Sequence, residues 1–258
     1  MNSSLTFHKY RLDEGVYILS DINNRFESAY INVREKEKRV YSDQELSLLP
    51  IASDSNPHKK EWELRAKSYR RIKEYLRQKK GNIKILDLGC GNGWFCAQLS
   101  KSFNYDYYCI DVNLIELKQA RGVFNSDKLN FIYADLFTAE LPVSFFDIIF
   151  VNAAVQYFPD LKKLLSKLVS MINRNGEIHF IDSPFYKQNE VDNARKRTEK
   201  YYQTIGFPEM SENYFHHAWD ELSDFKFNIL YNPVTVISKF KQLIFMNDSP
   251  FPWIKIIR

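Results

Sequence analysis

Between Ile85 and Phe95 the chain reads Ile-Leu-Asp-Leu-Gly-Cys-Gly-Asn-Gly-Trp-Phe, an apolar run that enters three alternating glycines, Gly89, Gly91 and Gly93. A tight turn after a strand needs positive φ, which glycine adopts freely, and bare backbone lets a ligand come close. A helix following the turn aims its first N–H groups at whatever is bound. These residue types in this order fit a nucleotide-type ligand at the carboxyl edge of a parallel sheet. The third glycine narrows the choice. A dinucleotide fingerprint places it one position later, where Trp94 stands, and an indole there would obstruct a pyrophosphate. No Gly-Lys-Ser/Thr follows, which excludes a P-loop.

Further polar residues fall at the ends of later apolar runs. Asp111 lies twenty residues after Gly91, at the tip of the next run, where a carboxylate can accept both hydroxyls of a ribose. Asp135 follows the run 130–133, and Asn152-Ala153 closes the run 147–152.

Over about residues 83–182 this pattern resembles the class I, seven-stranded, S-adenosylmethionine (SAM)-dependent methyltransferases of small-molecule type. The resemblance implies SAM as cofactor and S-adenosylhomocysteine (SAH) as product. It implies that the turn from Gly89 to Gly93, with Cys90 and Asn92 in it, holds the methionine end, assisted by Asp87 directly or through water. Asp135 would accept the adenine amino group, and Val112 and Leu136 would wall the adenine faces unless they are simply core residues. Asn152 and Ala153 would border the cofactor, with Gln156 or Tyr157 turned toward the acceptor. An Asn/Asp-Pro-Pro-Tyr/Phe cluster, common where nucleobase or Gln amino groups are methylated, is missing after strand four. Asp182-Ser183-Pro184-Phe185-Tyr186 is similar to it but follows strand five.

The acceptor is less legible. An insert over about 183–224 holds Arg195-Lys196-Arg197, Lys200, Tyr201-Tyr202 and Tyr214-Phe215-His216-His217, and in the family this stretch often roofs the substrate pocket. If the acceptor is a hydroxyl or an acidic carbon, His216, His217 or Tyr157 are the candidates for the catalytic base. The competing reading makes the histidines packing or surface residues. No third ligand accompanies them at metal-site spacing, so no metal is expected. Trp62, Arg65 and Tyr69 are either lid residues or core packing.

These residues need a scaffold. Short apolar runs at 84–88, 107–111, 130–133, 147–152 and 177–182 alternate with helical patterns, the signature of βαβ units. The expected fold is α/β: a doubly wound, mostly parallel seven-stranded sheet with helices on both faces, an N-terminal helical appendage and a helical cap insert after strand five. Residues 1–58 form the appendage or lid, and 59–258 the methyltransferase domain. Helices are predicted over 59–79, stopped by Gly81, over 161–172, stopped by Asn175-Gly176, and over 190–205, stopped by Gly206. Phe26, Tyr30, Val33, Val40 and Tyr41 suggest another helix, and 48–57 a loop. Late strands are expected near 225–231 and 252–257.

The bulk properties set outer bounds. With 258 residues, 45% of them hydrophobic and 26% charged, the chain can bury a core without staples. Aromatics reach 16%, enough to line an apolar pocket. A net charge of +4, spread along the chain, is no nucleic-acid stripe, so no nucleic-acid partner is expected. Three cysteines in or beside buried elements fit reduced thiols. The N-terminal 15 residues lack an apolar signal region, and the longest apolar stretch, 143–158, is broken by Asp147, Asn152 and Gln156. A cytoplasmic protein without a membrane span, monomeric or homodimeric, is expected, methylating a small-molecule acceptor. The alternatives are an RNA or protein methyltransferase, supported by basic clusters at 59–80 and 195–200, and a non-catalytic SAM-binding interaction protein.

Overall fold

The computed structural model describes residues 10–233 and 248–258; the first nine residues of the N-terminal stretch and the side chains of 24–26, Phe26 among them, lie outside the described residues. In chain order, a hairpin of β1 (Arg11–Asp13) and β2 (Val16–Ile18) precedes three helices, α1 (Asn24–Lys36), α2 (Asp43–Leu48) and α3 (Lys59–Leu76). Alternation follows: β3 (Lys84–Leu88), α4 (Trp94–Ser100), β4 (Asp106–Asp111), α5 (Leu114–Val123), β5 (Leu129–Tyr133), β6 (Phe146–Asn152), α6 (Leu161–Met171) and β7 (Ile172–Ile181). The insert contributes α7 (Val191–Ile205), and β8 (Phe227–Tyr231) and β9 (Trp253–Ile257) close the order.

The nine strands of the described residues form one sheet, in the order β1-β2-β5-β4-β3-β6-β7-β9-β8. The seven from β5 to β8 are the expected doubly wound set; β9 runs antiparallel to both neighbours and the rest are parallel. The period-2 alternation of each strand feeds two cores, one per face. Ile85, Tyr107, Phe131, Ile148 and Phe150 pack with Trp62, Ile72 and Leu76 of α3 and with Phe95 and Leu117. Leu86, Ile110, Ile132, Ile149 and Val151 pack under Leu161, Leu164, Leu165 and Leu168 of α6. Cys90, Cys96 and Cys109 are free and buried. No helix among the described residues is long and apolar enough to cross a membrane.

Four local features depart from the sequence expectations. The hairpin extends the sheet beyond seven strands, with Tyr17 and Ile18 in parallel register with Ile132 and Tyr133. Its turn is built from Glu14 and Gly15, both at positive φ, a signal that three-residue strands leave faint. Val40 and Tyr41 lie beyond the end of α1, and an unexpected short helix, α2, stands just before the 48–57 loop, started by a Ser42–Glu45 capping box; residues 49–57 are a loop as expected. Finally, α6 gives way to β7 at Ile172 without a loop, so Gly176 is a strand residue and not a helix stop. The register with β6 shifts between Phe146 and Ile148, and a Cβ on Gly176 would stand 3.0 Å from the Phe146 carbonyl oxygen, which is why this irregularity takes glycine.

Candidate functional site

The carboxyl ends of β3, β4, β5 and β6 open into a cavity of about 1700 Å³, bounded also by α1 and by the insert that carries α7. Pockets for one small ligand usually measure roughly 300–1,000 Å³, so this space suits two ligands side by side.

The glycine turn borders it in left-handed conformation, with φ of 73° at Gly89 and 51° at Gly91. Its N–H groups are largely spent within the protein: Gly89 and Cys90 donate to the Ile110 carbonyl at 2.8 and 3.1 Å, and Gly91 donates to Asp111 Oδ2 at 2.7 Å. The turn therefore supplies shape and close approach more than donors. Gly93, expected at the cofactor, does not border the cavity: a Cβ there would meet the Phe131 ring at 2.6 Å, so its task is to seat α4 on the sheet. Trp94 is buried, edge-on to Trp62 at 5.3 Å. Cys90 and Asn92 both line the space and are themselves buried.

Asp111 braces the turn from the tip of β4. Its Oδ1 also accepts from Asn113 N at 2.9 Å, and the Val112 N–H adds a third backbone donor to the same carboxylate. Burial, with the nearby Glu116 carboxylate, raises its pKa to about 6 against the pull of those backbone donors. Asp87, at the end of β3, is 1% exposed, and its oxygens have no nitrogen or oxygen donor, only the Cys96 thiol beside them. Burial raises its pKa to about 7; the Cys96 thiol works against the rise and the Asp111 charge adds to it. Asp135 is placed at the cavity, but its Oδ1 caps the next turn, accepting from Phe137 N at 2.8 Å and Thr138 N at 3.0 Å. Val112 and Leu136 flank these carboxylates on the cavity wall. Ala153, at φ 52°, turns the chain after β6, held by Ala153 N to Ile181 O at 2.9 Å and by Gln156 Nε2 to Ala153 O at 2.6 Å.

Six buried side-chain atoms among the described residues lack a nitrogen or oxygen partner: both oxygens of Asp87, Asn152 Oδ1, Gln156 Oε1, Asn113 Nδ2 and Arg34 Nε. All five residues line this cavity. Unpaired buried polar groups are costly, and their convergence on one space is what a polar ligand's site looks like without its ligand. Four of the six atoms are acceptors, matching a ligand that brings cationic and donor groups such as the ammonium and sulfonium of SAM.

The far end of the cavity is tyrosine-rich. Tyr157 stands edge-on to Tyr30 of α1 at 6.0 Å and to Tyr214 of the insert at 5.9 Å, with Tyr202 and Met210 close by on the cavity wall. Burial pushes the Tyr157 phenol above its ordinary pKa, although Arg34 draws it back. The two histidines are not there. His217 is 2% exposed, its ring between the Val155 carbonyl at 3.2 Å and Glu221 at 3.3 Å, so it ties the insert to the loop after β6. His216 meets Thr198 Oγ1 at 2.9 Å and lies tilted against the rings of Tyr186 and Tyr214; burial, with Arg195 and Arg197, lowers its pKa to about 4. Neither borders the cavity, which corrects the expectation of a histidine base.

Trp62 donates Nε1–H to Tyr41 at 2.9 Å and Tyr69 donates to the Gln98 carbonyl at 2.9 Å, the packing alternative for both. Arg65 lies on the cavity wall and pairs with Glu61 at 2.9 Å. The residues that sequence reasoning missed are Arg34 on α1, Glu37 just after it and Glu116 on α5. A signal existed: Tyr30, Val33, Arg34 and Glu37 repeat at helical spacing, with an arginine inside the buried stripe.

Residues 79–230 match a family model described as "Methyltransferase domain". An uncharacterised methyltransferase of Mycobacterium tuberculosis is 32% identical over 98 residues, 38% of this chain and 49% of that protein. The malonyl-[acyl-carrier protein] O-methyltransferase 1 of Ilyobacter polytropus is 30% identical over 112 residues, 43% of this chain and 41% of its own length. Each match thus spans about half or less of the relative. Among solved structures, the plantazolicin methyltransferase BpumL in complex with SAH superposes with a TM-score of 0.51 at 16% identity, covering 90% of this chain and 99% of that one, a likeness of fold.

Proposed function

The chain belongs to the methyltransferase-domain family, whose methyl donor is SAM, and we propose that it methylates a small-molecule acceptor held between α1 and the insert. The observation that carries this reading is the large cavity among the described residues, which joins the acid-rich strand ends to a tyrosine-lined region. Names of two relatives, for plantazolicin and for malonyl-[acyl-carrier protein], lend further support.

In this reading Asp111 takes the ribose hydroxyls, Asp135 and the chain beside it the adenine edge, and Val112 and Leu136 the adenine faces. Asp87, Gly89, Cys90, Gly91 and Asn92 hold the methionine end, with Asn152 and Ala153 alongside. Residues 1–58 act as lid to the domain formed by 59–258. Bound SAM supplies a methyl carbon already activated by its sulfonium, so no covalent protein intermediate is required. The protein's own work is to align the acceptor, exclude water and leave the cationic end of the cavity unshielded by solvent. Tyr157 keeps its proton at neutral pH because burial disfavours the phenolate, and it therefore serves as a hydrogen-bond donor that orients the acceptor and not as a base. The three free, buried thiols suit a reducing cytoplasm.

The test is incubation with methyl-labelled SAM and fractionated cell extract. Label in small extractable products supports the proposal. Label that RNase or protease releases would replace it with a macromolecular acceptor, and SAM binding without transfer would make the chain a non-catalytic binding protein.

A further inference from the structure

The cavity is electrically polarised along its length. Asp87, Asp111 and Asp135 line the strand-end half, whereas the α1 and α7 end carries Arg34, Arg39, Arg65 and Arg197. Three glutamates oppose these four arginines. Glu61 takes Arg39 at 2.6 Å and Arg65 at 2.9 Å, and Glu37 meets Arg39 Nε at 3.3 Å. Glu116 stands 3.5 Å from Arg34 Nη2, too long for a hydrogen bond of ordinary strength. Arg197 donates to the Tyr186 hydroxyl; among the described residues no carboxylate pairs with it, Asp192 being engaged by Arg195.

Arg34 is the decisive residue. Burial opposes its charge, but the oxygens of Tyr30, Glu116 and Tyr157 outweigh that, so it stays cationic. Its Nε is buried without a partner while a fifth of the side chain, 20%, remains accessible on a residue that lines the cavity. A guanidinium edge in that state lacks the planar, two-oxygen acceptor that its geometry matches. Around it stand the rings of Tyr30, Tyr157 and Tyr214 at edge-to-face spacing, surfaces that favour a flat aromatic guest. An amine acceptor would instead meet the positive charges of Arg34 and Arg197.

We infer that the acceptor site takes a small aromatic acid, its carboxylate on Arg34 and its ring among Tyr30, Tyr157 and Tyr214. This rests on the methyltransferase reading above and names its substrate class; methylation then falls on an atom other than the acid group that Arg34 holds.

The test uses the full chain saturated with SAH and isothermal titration calorimetry with 4-hydroxybenzoate, phenylacetate and trans-cinnamate, each beside its primary amide. At least one acid should bind, about tenfold or more tighter than its amide, as loss of a charge-assisted contact requires. Arg34→Gln should erase that preference while leaving SAH affinity unchanged, with a lower melting temperature because the buried Glu116 loses its partner, and Arg34→Lys should restore part of the preference. Amides that bind as well as acids, no binding by any acid, or an Arg34→Gln protein that loses SAH affinity by the same factor would each overturn the inference. The last outcome would give the arginine to the cofactor's own carboxylate. Failure of the wild type to bind SAH at all would instead sink the methyltransferase reading, and that titration is done first. The comparison of acid with amide on the wild type needs no variant to fold.

Discussion

Asp87 and Asp111 sit at the tips of adjacent strands, and both are held in the folded protein with pKa values well above the ordinary carboxylate range, about 7 and about 6. The sign of the consequence is fixed by linkage. A carboxyl whose folded pKa is raised makes the unligated protein lose stability as pH climbs from the unfolded value, 3.8, to the folded one. A cationic ligand that prefers ionised Asp87 reverses the penalty. SAM affinity should therefore rise from pH 5 to pH 8 and then level, with protons released on binding, measurable by calorimetry in buffers of different ionisation heat; a flat profile would remove Asp87 from the site. Asp87→Asn should remove the part of the pH dependence above pH 6, leaving the part that Asp111 contributes, weaken SAM binding by about tenfold or more, and raise the melting temperature of the free protein at pH 8 by roughly 5 °C. Asp111 is a different case. Sequence reasoning presents it as a ligand residue alone, but its oxygens also hold Gly91 N and Asn113 N, so Asp111→Ala should cost both SAM affinity and about 1–3 kcal/mol of stability. Unchanged affinity with lowered stability would leave it a brace only.

At the scale of elements, what was legible in the sequence is what repeats locally. Ile148 to Val151, apolar on both faces, announces a central strand, and Leu161, Leu164, Leu165 and Leu168 announce the helix over it. The passage from α6 straight into β7 was not legible, because Asn175-Gly176 has the same composition in a bulged strand as in a helix stop and only pairing with β6 tells them apart. Nor was the buried network that β7 carries. His179 Nδ1 accepts from Trp253 Nε1 at 3.0 Å, so the ring proton is on Nε2, facing Glu177 at 3.3 Å; Glu177 also accepts from Tyr75 at 2.7 Å and Lys79 at 2.8 Å, and Lys255 lies 3.6 Å from it. The partners come from α3, β7 and β9, far apart in the chain. Burial lowers the His179 pKa against the pull of Glu177, so the folded state prefers the neutral ring. Its stabilising share is complete above the ordinary value, 6.5, and shrinks as pH falls from there toward the folded value. Because Asp87 acts with the opposite sign in the same window, the test is a difference: on acidification from pH 7 to pH 5, wild type should lose more denaturation free energy than His179→Gln. Parallel losses would mean that the ring is not held neutral.

For the molecule as a whole, the division between legible and illegible follows the cavity. Its strand-end half is assembled from residues that share one stretch of βαβ sequence, and spacing alone brings them together. Its acceptor half is assembled from α1 and α7, about 160 residues apart, and depends on contacts that neither segment advertises. Glu61 of α3 receives both terminal nitrogens of Arg39, at 3.0 and 2.6 Å, together with Arg65, and its pKa is drawn down to about 2 despite burial. Glu37, in the turn after α1, accepts from Tyr201 of α7 and pairs with Arg39. These bonds couple α3 and α7 through the segment that follows α1, around one opening. Ligand in that opening should consequently order both flanks at once. Saturating SAM near 100 times its Kd would stabilise the fold by about 2.7 kcal/mol, and limited proteolysis should slow in 24–58 and in 183–224 with the same dependence on SAM concentration. Glu61→Gln leaves Arg39 and Arg65 facing each other without the shared acid. Being partly exposed, the pair should cost the protein only about 1 kcal/mol, yet cleavage within 24–58 should then proceed even at SAM concentrations that still protect 183–224. Protection confined to one flank in the wild type would show instead that the two sides of the cavity close independently.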